Sequence, residues 1–180
     1  MARLSSFPPI EDASAHTLIL GTMPGAASLA AGQYYAHPRN AFWLILAGLV
    51  GFDPHLDYAL RTQRLSDAGI AVWDVLRSCE RRGSLDSEID RTSVVANDFA
   101  RFFEEHPHVE RVFFNGGNAE LLYRRHVLHT LTETRALRYM RLPSTSPAHA
   151  SLAAAAKAEA WRVVIASSGV PYAAFERPHT

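Results

Sequence analysis

Three short stretches could do chemistry on a ligand. They are Gly21-Thr22-Met23-Pro24-Gly25, Asn115-Gly116-Gly117-Asn118 and Pro143-Ser144-Thr145-Ser146-Pro147. Each follows an apolar run that reads as a strand. Small residues let a ligand approach the backbone, and the N–H groups of a following helix are donors for an anion. Converging on one edge, three such loops would suit a ligand that carries phosphate. Taken singly, each reads equally as a turn, because glycine and proline punctuate every α/β chain. Ser144 to Pro147 could likewise be only a helix cap.

The first loop continues into Gln33-Tyr34-Tyr35-Ala36-His37-Pro38-Arg39-Asn40-Ala41-Phe42-Trp43, dense in aromatics and amides and without a carboxylate. The face of Tyr34 or Tyr35 can stack a nucleobase, a contact of roughly 1–3 kcal/mol. Asn40 reads either as the cap of the helix that follows or as a functional amide. Phe42 and Trp43, on the apolar side of that helix, read as core. His37 is a buried, hydrogen-bonded histidine or a catalyst. Asp74, just past a strand, reaches the same edge or caps a turn. Cys79 has no Cys–His pattern around it and does not read as a nucleophile. There is no Gly-x-Ser-x-Gly elbow, P-loop or Gly-x-Gly-x-x-Gly fingerprint, which argues against the hydrolases, triphosphatases and dehydrogenases built on them.

The elements that must position these residues follow from periodicity. Thr17 to Leu20, Ile70 to Trp73, Val109 to Phe114 and Leu137 to Leu142 read as strands. Asn40 to Val50, Tyr58 to Ala68, a helix carrying Phe99, Phe102 and Phe103, and Asn118 to Leu131 read as helices. Asp74 to Asp86 is polar and too charged for core. Ser146-Pro147 is expected to open a long final helix, with serine as cap and proline in the first turn. Strands alternating with helices predict a three-layer α/β/α sandwich around a four-stranded, mainly parallel sheet. Ligands then bind outside the carboxyl ends of the strands.

Composition sets the bounds. The 180 residues, 48% hydrophobic and 20% charged, fit one domain over 1–180, long enough to bury about 70% of its unfolded surface without a metal or disulfide. Eighteen basic residues balance eighteen acidic ones, which excludes a polybasic tail but not a local patch. A single cysteine excludes a disulfide framework and cysteine-rich metal sites. The apolar stretch around 41–51 is far short of the roughly 20 residues that span a bilayer, and no signal core follows Met1. A cytoplasmic monomer with no membrane association is expected.

The same loops, with Gln33 to Trp43, resemble the uracil-DNA glycosylase superfamily, and within it the hypoxanthine-DNA glycosylases. Those enzymes also carry a Gly-small-Met-Pro-Gly loop and a Tyr-Tyr-Ala-His-Pro-x-Asn-x-Phe-Trp segment. The resemblance runs in order from the first strand to the last helix. It implies removal of deaminated bases from single- or double-stranded DNA, hypoxanthine first and uracil second, without a cofactor or metal. It implies Asn40 as the catalytic amide and Tyr35 as the ring that stacks on the flipped base. Asn115 would sit at a base-recognising position, and Thr22 and Met23 would offer backbone groups to the base. Ser144, Thr145 and Ser146 would hold DNA phosphates.

Two departures matter. Met23 stands where many sister families have an aspartate or asparagine, and a thioether cannot orient water. Leu142 replaces a histidine in the last motif, which also lacks the bulky wedge found elsewhere, so any wedge must come from another residue.

An amide takes up no proton near neutral pH, so Asn40 would orient the attacking water rather than deprotonate it. The lone lysine, Lys157, lies in the alanine-rich segment, so a Schiff-base step is not expected and the product would be an abasic site. Arg124, Arg125, Arg135, Arg138 and Arg141 add positive charge, although each reads more simply as part of a solvated face. A uracil- or thymine-mismatch enzyme and a non-catalytic nucleic-acid binder remain the alternatives.

Overall fold

A computed structural model describes residues 3–131 and 136–166; Arg135 lies outside these. Its central sheet holds β2 (Thr17–Gly21), β3 (Ile70–Asp74), β6 (Arg111–Asn115) and β7 (Arg138–Leu142), in the order β3-β2-β6-β7. All three pairings are parallel. Parallel strands covered on both faces become continuous apolar runs, as in Leu18, Ile19 and Leu20, all fully buried.

Alternation along the strand divides the core. Leu18 and Leu20 join Phe114, Phe99 and Tyr123 on one face, against α4 (Phe99–Glu105) and α5 (Gly117–His126). Ile19 joins Phe113 and Val72 on the other. There they meet α2 (Phe42–Val50), α3 (Tyr58–Asp67) and α6 (Ala154–Trp161). A short helix, α1 (Ala26–Ala31), follows the first loop. The expected three-layer sandwich is present.

Two expectations need correction. The charged stretch after Asp74 does contribute to the core, through Val75, Leu76 and Cys79. It forms β4 (Leu76–Arg81), which pairs antiparallel with β1 (Arg3–Ser5) and β5 (Ile89–Ala96) in a second, three-stranded sheet. Its polar composition reflects a two-sided strand: Leu76, Cys79 and Ile89 face the core, while Arg77 is exposed.

The final helix starts at Ala154 rather than Ser146. Ser146 instead closes a local turn, its Oγ accepting from Ala148 N at 3.2 Å and its carbonyl from His149 N at 3.1 Å. Lys157, 6% exposed, donates from Nζ to the carbonyls of His149 (2.6 Å) and Ser146 (3.5 Å). A continuous helix would satisfy those carbonyls internally; here a side chain from the helix does it and frees residues 144–153 to turn.

Candidate active site

The carboxyl ends of β2, β3, β6 and β7 bring the expected loops together. Gly116 N donates to Leu142 O at 3.0 Å, so the second and third loops touch. Gly116 has φ +98°, and a Cβ there would meet Ser144 Cβ at 3.0 Å; only glycine suits both the conformation and the approach. Asn115 then ties the loops with both ends of its amide. Its Oδ1 accepts from Thr145 N at 2.8 Å, and its Nδ2 donates to Thr145 Oγ1 at 2.9 Å. Thr145 O in turn accepts from Ala41 N at 3.0 Å. One chain of hydrogen bonds thus fixes the end of β6, the loop after β7 and the start of α2.

Asn40 stands at that start. Its Oδ1 accepts from Phe42 N at 3.0 Å, and its own N–H donates to His37 O at 2.8 Å. Among the described residues its Nδ2 has no hydrogen-bond partner. The cap position of α2 is Ala41, one residue later; Asn40 closes the turn into the helix through one lone pair of Oδ1, and the rest of its amide remains available. His37 accepts from Arg39 N through Nδ1 at 3.1 Å and so shapes the turn that delivers Asn40.

Tyr35 is held unusually. It has φ +55°, the one non-glycine residue with positive φ among those described, a conformation that costs of order 1 kcal/mol or more. Its ring stacks on the buried Phe42 at 3.9 Å and 19° and is itself half-buried. The hydroxyl is buried against Gly21 and Asp74. Burial, and then the charge of Asp74, push its pKa well above the usual phenol range. Tyr34 is core instead, with its hydroxyl on the carbonyls of Phe7 and Pro8.

The first loop presents less side-chain chemistry. Met23 is buried in the core cluster under α4 and α5, and Thr22 is buried with its carbonyl accepting from Leu76 N at 3.1 Å. Thr145 is also turned inward, 1% exposed, with its hydroxyl on Asn115. Of the three hydroxyl residues in the last loop, Ser144 and Ser146 are the ones that reach the surface. The arginines of the second half are largely paired: Arg124 and Arg141 with Glu120, and Arg138 with Glu110. Cys79 is fully buried, and burial raises its thiol pKa.

Asp74 ends β3 beside Gly21 and is 3% exposed. Ser6 Oγ donates to its Oδ2 at 3.1 Å, yet burial dominates and lifts its pKa from 3.8 to about 7. The folded chain therefore binds this proton more tightly than the unfolded chain. Between about pH 4 and 7 the folded state carries more protons, so the contribution of Asp74 to stability is greatest at low pH and falls as pH rises. The variant Asp74→Asn should lack this slope. Urea midpoints at pH 5 and pH 8 are expected to show it gaining on the wild type at pH 8; parallel behaviour of the two proteins would contradict the assignment.

Sequence reasoning gave Asp86 no role and named Asn118 only where the second loop ends and a helix begins. Asp86 lies in the short 3-10 turn (Asp86–Glu88) between β4 and β5. Burial raises its pKa, while the side chains of Thr22 and Asn118 oppose the shift. The β-branched run from Ile89 to Val95, after Gly83-Ser84, was the available sign of a hairpin that could bring a carboxylate here.

Comparison with known proteins follows this geometry. The family model described as the uracil DNA glycosylase superfamily matches residues 8–165. The chain belongs to that superfamily. Its relatives include the hypoxanthine DNA glycosylase of Methanosarcina barkeri (strain Fusaro / DSM 804), 36% identical over 111 residues, covering 61% of this chain and 69% of that one. The hypoxanthine DNA glycosylase of Methanosarcina acetivorans is 33% identical over 114 residues, 63% and 71% of the two chains. A solution NMR structure from Methanosarcina acetivorans, described as a candidate uracil DNA glycosylase, superposes with a TM-score of 0.72. It has 29% identity and covers 91% of this chain and 97% of its own. As a member of the superfamily, the chain builds its site edge from the loops described above. No helix among the described residues is long and apolar enough to cross a membrane.

Proposed function

We infer that this chain is a monofunctional DNA glycosylase that extrudes a deaminated base, hypoxanthine foremost, and hydrolyses its N-glycosidic bond to leave an abasic site. The observation that carries this reading is the placement of Asn40 and Tyr35. Both lie on the one segment that the Ala41–Thr145 hydrogen bond locks to the ends of β6 and β7, in a chain whose named relatives are hypoxanthine DNA glycosylases.

Extrusion costs a few kcal/mol, less for an inosine-containing or mismatched pair. The ring of Tyr35 receives the base, Phe42 backing it from behind. Thr22 and Met23 border the base with backbone groups. Asn115 positions Thr145 and, through it, the start of α2. As the glycosidic bond breaks, negative charge grows on the purine and positive charge on the sugar, and hydrogen bonds to the departing base stabilise the former. Water held by Asn40 attacks the sugar; the amide orients it without accepting its proton, which passes to the departing purine anion so that the base leaves neutral. Ser144 and Ser146 offer hydroxyls to DNA phosphate, while Thr145 supports them from inside. The enzyme acts as a cytoplasmic monomer, with water and protein groups alone.

The test is single-turnover base release from otherwise identical duplexes bearing inosine, uracil or a G:T mismatch. Hypoxanthine release faster than the other two is the expected result. Preference for uracil would move the substrate and keep the site. Binding without release from any duplex would sink the enzymatic reading in favour of a nucleic-acid binder.

A further inference from the structure

The extruded base must leave a gap in the stack, and none of the site residues described so far can fill it. Apolar wedges such as leucine, isoleucine or phenylalanine inserted at a base step are the general solution to that problem. Five large apolar residues are prominently exposed among those described: Leu44, Leu60, Leu85, Leu121 and Ile165. Leu44, Leu60 and Leu121 lie on the outer faces of α2, α3 and α5, and Ile165 follows the 3-10 turn after α6. Leu85, 50% exposed, is different: it sits at the tip of the β4–β5 hairpin.

That tip meets the first site loop on both sides of Leu85. Before it, Ser84 Oγ accepts from Ala26 N at 3.2 Å. After it, Asp86 lies beside Thr22 and Asn118, whose side chains favour its charged form. At the base of the tip, Arg81 is 5% exposed and donates to Pro24 O at 2.6 Å and to Gly83 O at 2.8 Å. Leu85 itself is braced by its N–H, which Glu88 accepts at 3.2 Å. The hairpin is thus fastened to the Gly21–Gly25 loop while one apolar side chain is left pointing outward. Arg82, exposed beside it, supplies a cation for a neighbouring phosphate.

We propose that the β4–β5 hairpin is the element that enters the duplex, and that Leu85 fills the space left by the extruded base. The proposal rests on the glycosylase reading above. It assigns to a turn between antiparallel strands the task that the loop after β7 lacks the bulk to perform.

The experiment compares wild type, Leu85→Ala and Leu44→Ala on one inosine oligonucleotide, paired and single-stranded, with 2-aminopurine beside the lesion. Leu85 is exposed, so its truncation should leave the melting temperature close to that of wild type. On the duplex, Leu85→Ala is expected to slow base release by about tenfold and to blunt the fluorescence rise that reports unstacking. On the single strand, where no partner strand must be displaced, the deficit should shrink several-fold. Leu44→Ala should behave as wild type. An equal deficit on both substrates, an undiminished fluorescence rise, or the same loss in Leu44→Ala would overturn the assignment. If wild type releases no base at all, the glycosylase reading falls, while the fluorescence rise on duplex binding still decides the role of Leu85.

Discussion

Replacing Asn40 with alanine is expected to reduce single-turnover release of hypoxanthine by about a hundredfold or more, with duplex affinity changed little. Two properties of this side chain set the expectation. It is rigid, because Oδ1 is anchored by Phe42 N at 3.0 Å. It is also still open to water through Nδ2 and the second lone pair of Oδ1. Alanine removes the water's partner and the helix anchor together, and the latter alone costs about 0.5–2 kcal/mol of stability. Asn40→Asp separates the two effects, since a carboxylate keeps the acceptor for Phe42 N. A melting temperature near wild type with altered release would place the effect on the chemistry. Full activity in Asn40→Ala would remove Asn40 from the mechanism.

The second large effect concerns a residue with no side chain. A Cβ at Gly21 would land directly against Asp74 Oδ1 and 2.9 Å from the Tyr35 hydroxyl. Neither neighbour can yield easily: Asp74 is buried and held by Ser6, and Tyr35 is pinned by its stack on Phe42. Gly21→Ala should therefore lose about 1–3 kcal/mol in urea denaturation and, if the proposed role of Tyr35 holds, most of its base release, because that ring must move. Combining it with Tyr35→Phe, which removes the hydroxyl, is expected to restore part of the lost stability. Unchanged stability and rate in Gly21→Ala would show that this contact relaxes freely and that the position of Tyr35 is not critical.

Much of the architecture was legible because it is written in local pattern. The runs from Thr17, Ile70 and Arg111 are largely apolar, as strands buried on both faces must be, while the edge strand from Arg138 sets exposed arginines between buried Tyr139 and Leu142, and small-residue loops follow the runs from Thr17, Arg111 and Arg138. The β4–β5 hairpin was not legible, because a strand with one wet face and a buried arginine, Arg81, has the composition of a loop. Ser146-Pro147 satisfied the grammar of a helix start, but the deciding partner was Lys157, eleven residues away in the chain. Asn40 was legible as a choice between cap and functional amide; the structure puts the cap position one residue later, at Ala41, with Asn40 Oδ1 accepting from Phe42 N. Thr145 and Asn115 looked like ligand groups, and only their mutual pairing across the sheet edge reveals that they hold the loops together.

The order in which the chain is made has a bearing on that edge. β2 lies between β3 and β6, and β7 closes the sheet beyond β6. Thr145, just after β7, supplies the bond that fixes Ala41 and hence Asn40. A nascent chain on the ribosome can collapse much of its core before residue 138 emerges, yet its site cannot be assembled until the last strand docks. Such late, long-range pairing slows folding. It also means that the turn before α2, made early in synthesis, waits for one of the last strands before it is held in place.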